Sequence, residues 1–219
     1  MGTKDKILQK SLDLFNKYGT DAVTVRQIAA EIGMSHGNLC YHFASTDALI
    51  EALYLRLVGE MDAVILMPHP ENIGRGDLLG DAEALARLDL STMYQTTLKT
   101  YTLLYQYRFL MLDFVHIMRR IEFVRTHYQQ LSLVRRGQFT FLLNQLKING
   151  LVRADLSEQE TNDWISLATL FGDFWLSNAA ILYDGNEEDK VRYYADLFMR
   201  LGKLYFTERG LNELKVVVS

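Results

Sequence analysis

The residues of this chain whose types and spacing could do chemistry are hydrogen-bonding side chains set along helices, not nucleophiles or metal ligands. Ser35, His36, Gly37, Asn38, Tyr41 and His42 fall within eight residues, and the apolar Leu39 among them and Phe43 just after them are four apart. On a helix, that spacing turns the apolar pair inward and leaves the polar residues outward, where amide, phenol and imidazole groups can bond to an external partner. A second group, Tyr94, Leu98, Tyr101 and Tyr105, shares one helical face. Each of these residues taken singly reads as core, but a buried phenol needs a partner, so several on one face together suit the wall of a cavity that admits a polar ligand. Asp113, His116 and Arg119 follow at i, i+3 and i+6 as candidate polar anchors for that ligand.

Other chemistries lack their spacing. His116 and His127 are eleven residues apart and His69 sits between prolines, so no helical metal site is spelled out, and neither metal nor cofactor is expected. No G-x-S-x-G, H-E-x-x-H, dinucleotide-binding or P-loop signature stands in its required context. The G-R-G-D-L-L-G string at 74–80 has no strand before it and no GK[ST] after it. An enzyme is therefore not expected. The single Cys40 excludes an internal disulfide framework and any multi-cysteine zinc site.

The elements that must position Ser35–His42 are spelled locally. Thr24 with Gln27 three residues on makes a capping box, and Val23 with Ile28 makes a hydrophobic staple. Ile28, Ala29 and Ile32 share a face, and Gly33 comes where a left-handed residue ends a helix. Ser35 caps the next helix and Ser45 the one after. Two short helices joined by a glycine-containing turn form a helix-turn-helix.

The pattern G-M-S-x-G-x-L-x-Y-x-F at Gly33–Phe43, with its preceding amphipathic helix, resembles the TetR family of bacterial transcriptional regulators over about residues 4–57. The resemblance implies that the helix starting near Ser35 enters the DNA major groove. It also implies an all-helical C-terminal domain that binds a small-molecule effector and dimerises. The DNA-contacting set is then Lys4, Thr24, Arg26, Gln27, Ser35, His36, Gly37, Asn38, Tyr41, His42, Ser45 and Thr46. At three positions the family often has a stronger DNA partner: His36 stands for Arg, Cys40 for Tyr and Thr46 for Lys.

Charge sharpens the question, because DNA binding draws on cations that neutralise phosphates. The chain carries a net charge of −4, and residues 1–50 balance five Lys and Arg against five Asp and Glu. Lys4, Lys6 and Arg26 near two helix N-termini could still meet phosphates if Asp13 and Glu31 face away.

The fold class expected is all-α: a three-helix helix-turn-helix domain over 1–48 and a helical effector-binding and dimerisation domain over 49–219. With 49% hydrophobic residues in 219 and only 2 prolines, the chain can fill a sizeable core, and no long alternating strand pattern appears. No 18 consecutive apolar residues occur and the N-terminus lacks an apolar signal core, so a cytoplasmic protein without a membrane partner is expected. The first helix is expected over 4–18, with Ile7, Leu8, Ser11, Leu12, Phe15 and Tyr18 inward. The helix after Ser45 is expected to run to about Leu66, ended by Met67-Pro68-His69-Pro70, followed by a glycine-rich loop over 71–90.

Further helices are expected over 91–120, 122–147 up to Asn149-Gly150, and 157–183 behind the Ser157/Glu160 capping box, with a last one over 187–207. The final two present Trp164, Phe171, Trp175, Asn178 and Tyr194, Phe198, Leu201 at helical spacing. Two long apolar helices joined by a short turn suit a two-fold four-helix interface, so these seven are the expected homodimer contacts. The function these expectations add up to is a ligand-responsive repressor that binds a palindromic operator as a homodimer. The alternative is a helical small-molecule-binding protein that has lost sequence-specific DNA binding.

Overall fold

The structure is a computed structural model that describes residues 2–64 and 88–218. The turn at Met67–Pro70, His69, and residues 71–87 of the loop expected over 71–90 lie outside the described residues. The helices are α1 (Thr3–Tyr18), α2 (Val25–Glu31), α3 (His36–His42), α4 (Thr46–Val64), α5 (Leu90–Gln106), α6 (Arg108–Leu112) and α7 (Phe114–Arg120), followed by α8 (Glu122–Ile148), α9 (Glu158–Leu182), α10 (Lys190–Leu201) and α11 (Glu208–Val217). Among the described residues the one β pairing is an isolated bridge between Val152 and Phe206. The chain is all-α, as its sequence pattern implies.

Two compact units share the chain: residues 1–63 with 103–128, and residues 64–102 with 129–219. The sequence boundary after residue 48 differs from this division, and side-chain bonding explains why. In the first unit, Ile7, Leu12, Phe15, Ile28, Leu39, Leu49, Ile50 and Leu53 form a fully or nearly fully buried core. Onto it come Phe109, whose ring lies 5.2 Å from that of Phe15, and Tyr107, whose hydroxyl donates to Glu60 at 3.0 Å. Burial of Tyr107, with that bond second, pushes its hydroxyl pKa well up. Tyr18, expected inward, is 53% exposed at the last turn of α1.

The single helix expected over 91–120 is three helices, broken at Tyr107 and Asp113. Neither break carries Gly or Pro. Asn16 of α1 sustains the first: its side-chain amide donates to the Gln106 carbonyl at 2.7 Å and its carbonyl accepts from Phe109 N–H at 3.1 Å. Backbone groups released by the break are thus paired instead of orphaned.

In the second unit α9 starts as expected, with Ser157 Oγ accepting from Glu160 N–H at 3.1 Å and Glu160 accepting from Ser157 N–H at 2.8 Å. The Ser157 N–H bond first, and Ser157 Oγ–H donating to Glu160 Oε2 at 2.7 Å second, hold the Glu160 carboxyl below its usual range. The helix expected over 187–207 is shorter. It ends at Leu201, passes through a 3-10 turn at Gly202–Leu204, and α11 follows, capped by Thr207 Oγ1 accepting from Gly210 N–H at 3.1 Å. A Cβ at Gly202 would sit 2.6 Å from Phe206 Cζ, so the missing side chain is what lets that ring fold back. Among the described residues one helix, Glu158–Leu182, has the length and, over an 18-residue window, the mean hydropathy, 1.4, that would suffice to cross a membrane. It also carries Asp163 and Asp173.

Candidate nucleic-acid interface

The polar face of α3 is built from its two ends inward. On the entering side, α2 is closed by the expected box: Gln27 N–H donates to Thr24 Oγ1 at 3.3 Å, and Thr24 N–H to Gln27 Oε1 at 2.8 Å. Val23 and Ile28 are both buried. The turn is set by Gly33 at φ +67°, where Met34 N–H returns to the Ala29 carbonyl at 2.9 Å. An L side chain at that φ is strained, which is why glycine stands there. Ser35 Oγ then accepts from Asn38 N–H at 3.2 Å and starts α3.

Leu39 is fully buried and fixes the rotation of α3, so that His36, Gly37, Asn38 and Tyr41 are exposed, Tyr41 at 85%. Two members of the expected face are less free. His42 is half-buried with its ring edge-on to Tyr41 at 5.4 Å, and His36 turns back toward Cys40 Sγ, 3.5 Å from its Nε2. Ser45 Oγ accepts from Ala48 N–H at 3.1 Å and caps α4, whose first residue Thr46 is half-buried. Lys4, Lys6, Thr24, Arg26 and Gln27 are exposed around these helix starts.

The balanced charge of residues 1–50 is redistributed by ion pairs. Lys10 pairs with Glu31 at 3.2 Å. Arg120 of α7 reaches both Asp21, at 3.2 Å, and Asp47, and His116 Nε2 lies 3.2 Å from the same Asp21 oxygen. Three of the five acids are therefore engaged, two of them by a cation from outside residues 1–50. Asp113 adds an uncharged tie, with Oδ2 accepting from Thr20 N–H at 3.0 Å and Thr20 Oγ1–H at 2.7 Å.

These contacts give the expected ligand anchors partners within the chain. Asp113 and His116 are committed to Thr20 and Asp21 of the helix-turn-helix unit, and Arg119 is exposed on the same short helix. Tyr105 belongs to that unit too, half-buried with the Arg108 guanidinium 5.2 Å above its ring. Tyr94, Leu98 and Tyr101 belong to the other unit. Leu98 is half-buried, and Tyr94 is buried with its hydroxyl donating to Asp196 at 2.6 Å. Burial first, and that bond second, push the Tyr94 pKa up to about 12. Tyr101 is buried within a ring cluster: Trp175 is stacked on it at 5.0 Å, with Phe198 at 5.8 Å and Phe171 at 6.5 Å.

The expected dimer contacts also have partners within the chain. Trp164, Trp175, Tyr194 and Phe198 are buried inside the chain, Trp164 being stacked on Tyr205 at 4.6 Å. Phe171 and Leu201 are half-buried, and Asn178 accepts from the Tyr194 hydroxyl at 2.7 Å. The apolar side chains that α9 leaves exposed are Leu167, Leu170, Phe174, Ile181 and Leu182. The 3, 4 and 7 spacing of the first four puts them on one stripe. It was visible in the sequence beneath the larger aromatic stripe. Among the described residues, no group of three or more His, Cys, Asp or Glu comes together to hold a metal ion.

Comparison with known proteins places this geometry. A family model described as bacterial regulatory proteins, tetR family, matches residues 7–53, and one described as TetR, bacterial transcriptional repressor, matches residues 79–214. The tetracycline repressor protein class A from transposon 1721 of Escherichia coli is 30% identical over 78 residues, 36% of each chain. An uncharacterized HTH-type transcriptional regulator of Bacillus subtilis (strain 168), YerO, is 43% identical over 47 residues, 22% of this chain and 16% of that protein. The chain thus spans about a third or less of the curated relatives it matches. The crystal structure of a TetR-family transcriptional regulator from Marinobacter aquaeolei VT8 has the same fold, with a TM-score of 0.84 at 20% identity, covering 100% of this chain and 98% of that one.

Proposed function

This chain belongs to the TetR family of bacterial transcriptional regulators, and on that premise we propose that it is a cytoplasmic, ligand-responsive repressor that binds a palindromic operator as a homodimer. One observation carries this reading: α3 is capped by Ser35, anchored by the buried Leu39, and turns Asn38 and Tyr41 outward. Amide and phenol groups so placed read base edges, while Lys4, Lys6, Arg26 and the capped starts of α2 and α4 hold phosphates. The Arg120 pairs with Asp21 and Asp47 support DNA binding by a head whose own charges only balance.

The exposed stripe of Leu167, Leu170, Phe174 and Ile181 supports assembly, since a patch of that kind is covered when α9 meets its own copy across a two-fold axis. Two recognition helices then sit about 34–36 Å apart, or a multiple of it, to enter successive major grooves. An effector held in the second unit changes operator affinity by binding one geometry of the dimer more tightly than the other, and by no more than that difference.

Selection from a random-sequence duplex pool with the purified protein tests the proposal. An enriched inverted repeat is the expected outcome. A pool that stays random, with a small molecule still bound by the protein, is the behaviour of a helical binding protein that has lost its DNA function.

A further inference from the structure

Among the described residues, the core of the second unit holds two hydrogen-bond donors with nothing to donate to. Tyr101 Oη and Trp175 Nε1 are buried with no hydrogen-bond partner among those residues, and their rings are stacked within 10° of parallel. Leaving such groups unpaired is costly, so each stands out in a folded protein. Both belong to the second unit, in a cluster of rings completed by Phe171, Tyr194 and Phe198.

A separate observation concerns space. Ala168, Gly172 and Leu176 follow at i, i+4 and i+8 on α9, so Gly172 lies midway along the stripe that the buried Ala168, Trp175, Leu176 and Ala179 turn inward. Yet Gly172 is only half-buried, and a Cβ built there would meet nothing within 4 Å among the described residues. Among the described residues, α9 therefore leaves open space at Gly172, one helical turn from Trp175.

We propose that Tyr101 and Trp175 are the hydrogen-bond donors of the effector site, and that the effector is a neutral, flat, largely apolar molecule whose carbonyl-type acceptor they bind, seated in the space beside Gly172. The inference rests on the effector-responsive reading above and gives it residues and a ligand class. Donor chemistry sets the polar end: an indole N–H can only donate, so its partner must accept. Burial, with the charge of Asp173 second, keeps the Tyr101 phenol protonated far above neutral pH, so it too is available as a donor. The same Asp173 charge disfavours a carboxylate ligand against a ketone, ester or lactone. Five aromatic rings supply the flat apolar surface.

The experiment uses three probes on one skeleton: 2-acetylnaphthalene, 2-ethylnaphthalene, which lacks the acceptor, and 2-naphthoate, which is anionic. Calorimetric titration of the full chain is expected to rank the ketone tightest, roughly tenfold above the hydrocarbon for two donors together. Tyr101→Phe, which keeps its ring, should lower ketone affinity several-fold and leave hydrocarbon affinity unchanged, and Trp175→Phe, which also gives up part of the apolar surface, should weaken both but the ketone by more, a pattern that mere loosening of the core does not give. Gly172→Leu should weaken all three probes, while Gly172→Ala, which only adds helix propensity, keeps the fold as a control. Ketone affinity equal in wild type and both Phe variants overturns the assignment, as do naphthoate binding tightest or no probe binding wild type at millimolar concentration. Failure of the broader reading has another signature: the probes bind as ranked, but affinity for the selected operator does not change.

Discussion

Placing a carboxylate on the exposed stripe of α9, as Leu170→Glu, separates the two candidate interfaces that this helix offers. Leu170 is 57% exposed. Fully burying a leucine contributes about 1.5–3 kcal/mol relative to exposure, so about half of that, roughly 1 kcal/mol, remains to be gained at an interface. A two-fold axis counts the loss twice, about 2 kcal/mol, which alone raises the dimer dissociation constant about 30-fold. Two like charges desolvated near the axis add to it. Sedimentation equilibrium should find wild type dimeric at micromolar concentration and Leu170→Glu largely monomeric, with unchanged helical circular dichroism. Leu133→Glu, at a 72% exposed site on α8, should stay dimeric. Phe198→Glu should behave differently from both, because Phe198 packs against Tyr101 and Phe171 and a carboxylate there unfolds the chain. Leu170→Glu that keeps the wild-type dissociation constant, or Phe198→Glu that dissociates into a folded monomer, would refute the placement of the interface on the outer stripe.

Further outcomes follow from other parts of the molecule. Asn38→Ala and Tyr41→Ala should each weaken binding to the selected operator by about 1–3 kcal/mol with the melting temperature unchanged, and equal loss on random duplex would show that they do not read sequence. Arg120→Met should lower stability by about 1 kcal/mol or less in urea, since its two partners are surface carboxylates, and Asp47→Asn added to it should cost little more. A loss above about 2 kcal/mol would mean that Arg120 supports the fold through more than these pairs. Tyr94 has a folded pKa of about 12 against an ordinary 10.0, so its contribution to stability is fully present below pH 10 and is lost as pH rises through 12. Tyr94→Phe should therefore flatten the alkaline fall in stability between pH 10 and 12, and an unchanged slope would contradict its buried bond to Asp196.

What was legible in the sequence is what local chemistry decides. The Thr24/Gln27 and Ser157/Glu160 boxes, the Ser35 cap and the left-handed Gly33 each act within a few residues, and all stand where their spacing puts them. The break at Tyr107 was not legible, because Asn16 bonds the backbone beside it from more than 90 residues away in the sequence, and at Asp113 the side chain is bonded by the equally distant Thr20. The same distance hid the roles of Asp113 and His116, whose i, i+3 spacing is the same for a ligand site as for a brace. On α9 the apolar residues cover most of the helix, and periodicity alone cannot say which stripe meets its own chain. The rings of Trp164, Trp175 and Phe198 took the inside, which moved the candidate interface to Leu167, Leu170, Phe174 and Ile181. Counting charge over residues 1–50 likewise missed that Asp21 and Asp47 are paired by Arg120.

The central claim is that a dimer reads DNA through the outward face of α3, and titration of the selected operator duplex in the analytical ultracentrifuge tests it most directly. Two protomers per duplex, or an even multiple, are expected. A duplex whose half-sites are moved apart by 5 base pairs, about half a helical turn, should bind far more weakly, and Asn38→Ala should reduce affinity without changing stoichiometry. One protomer per duplex, or affinity indifferent to half-site spacing and to Asn38, would contradict it.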